Sequence, residues 1–97
     1  MTKSVKNMFS VLMDAITDAN MIADYSMEAR QDGNDMWADW FREHAMKRVQ
    51  MVEDIYDDVS RELNMERRIR ENDEIAYALD CYLKCQMDSL DKKMNML

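Results

Sequence analysis

One glycine, Gly33, and no proline stand in 97 residues. Sandwiches and barrels reverse direction about every 8–12 residues and draw on Gly and Pro at those turns. A chain so poor in both has room for few sharp reversals, so long helices joined by short links are the expected form. At this length the chain is one domain, residues 1–97. Its core is modest, and pairing with a second copy would extend it. Apolar residues make up 47% of the sequence, enough for a packed core rather than a disordered chain.

No stretch has the apolar length of a membrane span, and the N-terminal MTKSVKNMFSVLMDAITD has no signal-peptide core. The two cysteines, Cys81 and Cys85, fit a reducing compartment, so a cytoplasmic protein is expected. A disulfide between them would close almost no loop and add little.

Hydrophobic spacing places three helices, at about residues 3–31, 35–63 and 73–95. In the first, Val5, Met8, Phe9, Leu12, Ala15, Ile16, Ala19, Ile22, Ala23, Ser26 and Ala29 recur as an inward stripe, with Asp14, Asp18, Asp24 and Glu28 opposite. Gly33 ends it, because glycine adopts a left-handed cap without steric penalty. Asn34 or Asp35 caps the second helix, and Asp35 and Asp39 suit the positive end of its dipole. Its stripe reads Trp37, Phe41, Ala45, Val49, Val52, Tyr56, Val59 and Leu63, widened by Trp40, His44, Met51 and Ile55. Glu43–Lys47 and Asp57–Arg61 are spaced as i,i+4 ion pairs. The segment Asn64 to Asn72 is weakly periodic and reads either as an extension of this helix or as a connector. Asn72 caps the third helix, where Ile75, Leu79, Leu83, Met87, Leu90, Met94 and Leu97 form one row and Ala78, Cys81, Tyr82 and Cys85 a second. That arc is wider than a helix of a simple three-helix bundle needs, so the third helix is either central or buries part of its surface in another subunit. The expected fold is therefore an all-α, three-helix antiparallel bundle completed by homodimerisation, with Arg48, Ala78, Cys81, Tyr82 and Cys85 as the candidate dimer interface.

The net charge of −7 is unevenly placed. From Asp14 to Asp58 there are 12 acids against 4 bases, while Arg61 to Asn72 holds four Arg against three Glu. An acidic middle repels phosphates, which argues against direct nucleic-acid binding and favours a basic protein partner. Glu53, Asp54, Asp57 and Asp58 put four carboxylates in six residues, on the outer side of the helix that carries Asp39 and Glu43. Paired carboxylates do acid–base work only in a cleft that shifts their pKa, so on an outer face these read as a solvated surface or, functionally, as an acidic docking surface. No Ser/His/Asp or Cys/His set is visible. His44 with Cys81 and Cys85 could supply three zinc ligands, but small apolar core residues are the plainer reading of both cysteines. Arg48 points into the arc between Trp37, Phe41 and Ile55, where it must snorkel, pair with a carboxylate or lie on an aromatic face. Of the 12 methionines, Met21, Met36, Met46 and Met96 fall off the inward stripes and offer adaptable contact surface.

LMDAITDANMIADYSMEA, from Leu12 to Ala29, resembles the first helix of rubrerythrin and ferritin-like proteins in its Ala-Ile-x-Asp and Asp-Tyr spacing. WFREHAMKR, from Trp40 to Arg48, is similar to the second helix, where that family carries Glu-x-x-His. The resemblance covers about 35 residues of a helical hairpin. It implies a helical bundle whose di-iron ligands are not retained. Ala19 stands where the inward Glu would be, Met46 follows Glu43 by three, and Phe41 precedes His44 by three.

These features lead to one expectation: a small acidic, non-enzymatic regulator or inhibitor without cofactor or metal. Trp37, Asp39, Trp40, Glu43, Glu53, Asp54, Asp57 and Asp58 would contact a basic protein. It resembles, in kind only, the acidic helical proteins of phages and mobile elements that imitate nucleic acid to block enzymes that bind it. A degenerate ferritin-like metal protein and a self-associating structural bundle are the alternatives.

Overall fold

A left-handed residue separates the first two helices. Gly33 has φ +79°, and the chain reverses there through two backbone bonds, Gly33 N–H to the Arg30 carbonyl and Asn34 N–H to the Ala29 carbonyl. This pair is the Schellman termination of a helix. Asn34 then caps the next helix, its Oδ1 accepting the Trp37 N–H at 3.2 Å. A computed structural model describes residues 3–69 and 74–97, with side-chain surroundings for 3–65 and 74–97. Its elements are α1 (Lys3–Gln31), α2 (Asp35–Ile69) and α3 (Glu74–Met96), with no strand among the described residues. The all-helical expectation therefore holds. The weakly periodic segment from Asn64 continues α2 as far as Ile69. The proposed cap at Asn72 lies outside the described residues.

Buried positions repeat every seven residues in all three helices. They are Val5, Leu12, Ala19 and Ser26 in α1, Ala38, Ala45, Val52 and Val59 in α2, and Ala76, Leu83 and Leu90 in α3. A seven-residue repeat keeps one narrow seam facing its neighbour, as helices crossing at a shallow angle require. Near the turn the α1–α2 seam is made of small residues: Ala19, Ala23 and Ser26 on one side, Ala38 and Ala45 on the other. Small side chains let the backbones approach, and the buried Ser26 hydroxyl donates to the Ala38 carbonyl at 2.7 Å. Farther from the turn the core thickens, and Leu12, Ile16, Val52, Val59 and Leu63 pack with Leu83, Met87 and Leu90 of α3.

α3 contacts both other helices, but α1 and α2 share most of the packing. Asp80 of α3 meets Ser60 of α2, and Lys93 near the other end of α3 pairs with Asp24 of α1 at 2.9 Å. The molecule is a rod of 53 × 19 × 14 Å. α2 at about 52 Å spans that length, while α3 at about 35 Å is too short to follow it to the turn. The hairpin tip around Gly33 therefore extends past the end of α3.

Several expected positions move by one step. Ala38, not Trp37, enters the seam, and Trp37, Trp40 and Met51 are exposed. Ala76, not Ile75, faces inward on α3, followed by Asp80, and Ile75 is 67% exposed. Arg48 does not enter the apolar arc but is exposed. Ala78, Cys81, Tyr82 and Cys85 are also exposed, so the cysteines are surface thiols rather than core residues. Arg61 pairs with Asp58 at 3.3 Å in place of the expected Asp57. Glu43 and Lys47 are both exposed, and no ion pair joins them.

Candidate protein-docking surface

The tip of the hairpin carries four aromatic residues that touch one another. Tyr25 on α1 and Trp37, Trp40 and Phe41 on α2 form a continuous ring cluster. Centroids are 5.5 Å apart for Tyr25–Phe41, 5.9 Å for Trp37–Phe41, 5.7 Å for Trp37–Trp40 and 5.2 Å for Trp40–Phe41. Trp40 meets Trp37 and Phe41 edge-to-face, a favoured geometry for such quadrupoles. Helical spacing explains the cluster: residues 37, 40, 41 and 44 share one side of α2, and the small seam residue Ala38 turns Trp37 outward. Trp37 and Trp40 remain 47% and 46% exposed. Met36, also at the tip, is exposed, as are Met21, Met46 and Met96.

His44 closes the row. Its ring stacks on Trp40 with centroids 3.8 Å apart, and its Nδ1 lies 2.9 Å from the Trp40 carbonyl oxygen. A carbonyl only accepts, so Nδ1 carries the proton and donates. The histidine is thereby tied to the tryptophan. Among the described residues, no three of His, Cys, Asp and Glu converge in a way that could hold a metal ion.

Charge at the tip is divided between the two flanks of the hairpin. On one, Arg30 bridges Asp39 at 2.8 Å and Asp35 at 3.4 Å, tying α1 to α2 across the turn. On the other, an open groove is lined by Tyr25, Glu28, Ala29, Asp32, Asn34, Trp37 and Phe41. Tyr25 and Glu28 lie three apart on α1, and Asp32, just past its end, keeps the spacing through its N–H bond to the Glu28 carbonyl, so the three share that flank. Sequence reasoning named Trp37 and Trp40 but missed Tyr25, Phe41, Glu28 and Asp32 as their neighbours. The signal that could have found them is the short turn, which places the last turns of α1 beside the first turns of α2.

The carboxylates of α2 do not form one continuous band. Asp39, Glu43, Glu53, Asp54, Asp57 and Asp58 are all exposed, but they fall into two groups. Asp39 and Glu43 belong to the tip, and Asp39 is partly neutralised by Arg30. Glu53, Asp54, Asp57 and Asp58 lie farther along, past the exposed Lys47 and Arg48. Asp54 accepts from Gln50 at 3.4 Å and Asp58 pairs with Arg61, leaving Glu53 and Asp57 without an ion pair among the described residues.

No family model, curated protein or solved structure matches the chain. Among the described residues no helix is long and apolar enough to cross a membrane.

Proposed function

We propose that the protein is a small, non-enzymatic binding protein that docks on a basic partner through the tip of its α1–α2 hairpin, and so regulates or inhibits that partner. One observation carries the reading: two tryptophans stay about half exposed at the end of a helical rod, beside carboxylates. Exposed tryptophan is the side chain that most often dominates binding energy. Burying the pair against a partner would recover apolar surface that the chain's own fold leaves in water. The carboxylates, including the group from Glu53 to Asp58, steer a positively charged partner toward this surface.

The test is capture of partners by tagged protein at low and moderate salt, with two variants beside the wild type. Charge reversal at Asp54 and Asp57 to Lys should slow association and flatten its salt dependence. Trp37→Ala with Trp40→Ala should remove the captured species while circular dichroism stays unchanged. A captured protein indifferent to salt and to both variants counts against this docking surface.

A second reading concerns self-association. The outer face of α3 exposes Ile75, Ala78, Cys81, Tyr82 and Cys85, and a second copy would bury them in a symmetric pair. Sedimentation equilibrium tests it, and a monomer at tens of micromolar would remove it.

A further inference from the structure

The groove on the open flank of the tip has two kinds of wall. Tyr25, Trp37 and Phe41 present aromatic surface, with Phe41 within 5.5 Å of Tyr25 and 5.9 Å of Trp37 by ring centroid. Glu28 in the last turn of α1 and Asp32 just past its end present two carboxylates four residues apart, and neither has an ion-pair partner among the described residues. Of the two arginines at the tip, Arg30 is already engaged with Asp35 and Asp39, and Arg42, seven residues after Asp35, does not line the groove. The aromatic flank is thus left with uncompensated negative charge.

The ligand chemistry follows by elimination. An anion would be repelled by both carboxylates. A purely apolar group would strip water from them and offer nothing in return. A cation with a flat, weakly hydrated face satisfies both walls, because the ring faces attract positive charge and the carboxylates accept charge-assisted hydrogen bonds. Guanidinium fits that description; the ammonium of lysine is compact, strongly hydrated and gains less from stacking. The geometry points to this groove as a receptor for a single arginine side chain of the partner protein. The inference rests on the docking reading above and gives it an anchor. The groove, of about 370 Å³, suits one side chain rather than a folded surface.

The experiment is a titration of the 15N-labelled full chain with capped Gly-Arg-Gly, read at the Trp37 indole N–H. The Trp40→Phe spectrum assigns the two indoles. Capped Gly-citrulline-Gly, neutral but of the same shape, and Gly-Lys-Gly are the comparison probes. The expected result is a saturable Trp37 shift with the arginine peptide, with Kd on the order of millimolar. The lysine peptide should bind roughly threefold more weakly, and citrulline should produce no saturable shift. Glu28→Gln with Asp32→Asn, both exposed positions, should weaken arginine binding roughly fivefold and leave the rest of the spectrum in place. No saturable shift, an equal response to citrulline or lysine, or indifference to the double variant would each overturn the proposal.

Its failure and that of the docking reading are separable. If the arginine peptide binds but no basic protein is captured in a salt-dependent way, docking falls and the groove stands. If a basic protein is captured through Trp40 and the Asp54–Asp57 group, yet ignores Glu28→Gln with Asp32→Asn, the groove falls and docking stands.

Discussion

Asp80 occupies a core position in α3 at 2% exposure, although aspartate is rarely so buried unless it is paired. Its carboxylate accepts from the Ser60 hydroxyl at 3.5 Å and pairs with the exposed Lys84 one turn on at 3.1 Å. The lysine ammonium remains in water, which spares the pair the cost of burying both charges. Sequence reading passed over Asp80 because an Asp–Lys pair at i,i+4 looks the same on any solvated face. The Asp80 hydrogen bond, and then its charge, holds the Lys84 amine above its ordinary value of 10.5. A raised lysine pKa contributes stability that is fully present below the unfolded value and lost as pH rises through the folded one. The gap in urea midpoint between wild type and Lys84→Met should therefore be constant from neutral pH to about pH 10 and close at higher pH. A gap that persists through strong alkali would assign Lys84 a packing role instead. Ser26 makes the simpler case. Ser26→Ala removes a buried 2.7 Å hydrogen bond between α1 and α2 and should cost about 1 kcal/mol by urea denaturation.

At the scale of the elements, the turn is the most legible part of the molecule. Gly33 and Asn34 act through local chemistry, a positive φ and a side-chain cap, and local chemistry can be read from neighbouring residues. A Cβ at Gly33 would meet nothing within 4 Å, so the penalty of Gly33→Ala is purely conformational. It should be about 1–2 kcal/mol. Asn34→Ala should cost about 1 kcal/mol. The two share one turn, so thermal denaturation of the double variant should show less than the sum. The seam was harder to place. Periodicity located a stripe on α2 and on α3, but chose Trp37 over Ala38 and Ile75 over Ala76. A hydrophobic wheel gives weight to large residues, whereas this seam selects small ones, because α1 and α2 pack through Ala19, Ala23 and Ser26 against Ala38 and Ala45. The displaced tryptophan is what creates the candidate site, so the same step hid both. Ala45→Leu puts three extra carbons into a position of 0% exposure and should destabilise by about 1–3 kcal/mol. A neutral result would show that the seam has room to spare.

The whole molecule is longer than its residue count requires. Its radius of gyration is 15.7 Å, against roughly 12.5 Å for a compact domain of this size. A rod has more surface and a thinner core, so apolar groups are left outside at both places where helices lack a neighbour. One is the tip, where α3 no longer reaches; the other is the outer face of α3 itself, with Ile75, Tyr82 and the two thiols. Asp80 lies beside Ser60, far along α2 from Trp37, so the two surfaces occupy different regions of the rod. That separation predicts that docking at the tip and any self-association through α3 are independent. Ile75→Glu with Tyr82→Glu places two charges on the α3 face and should convert any dimer to monomer in sedimentation equilibrium. The same variant should leave the Trp37 response to the arginine peptide within about twofold of wild type, since no charge has changed near the groove and screening acts within about 10 Å at ordinary salt. Conversely, Trp37→Ala with Trp40→Ala should leave the sedimentation behaviour as it was. If either variant abolishes both properties, the tip and the α3 face belong to one surface, and self-association is the way this chain covers its tryptophans.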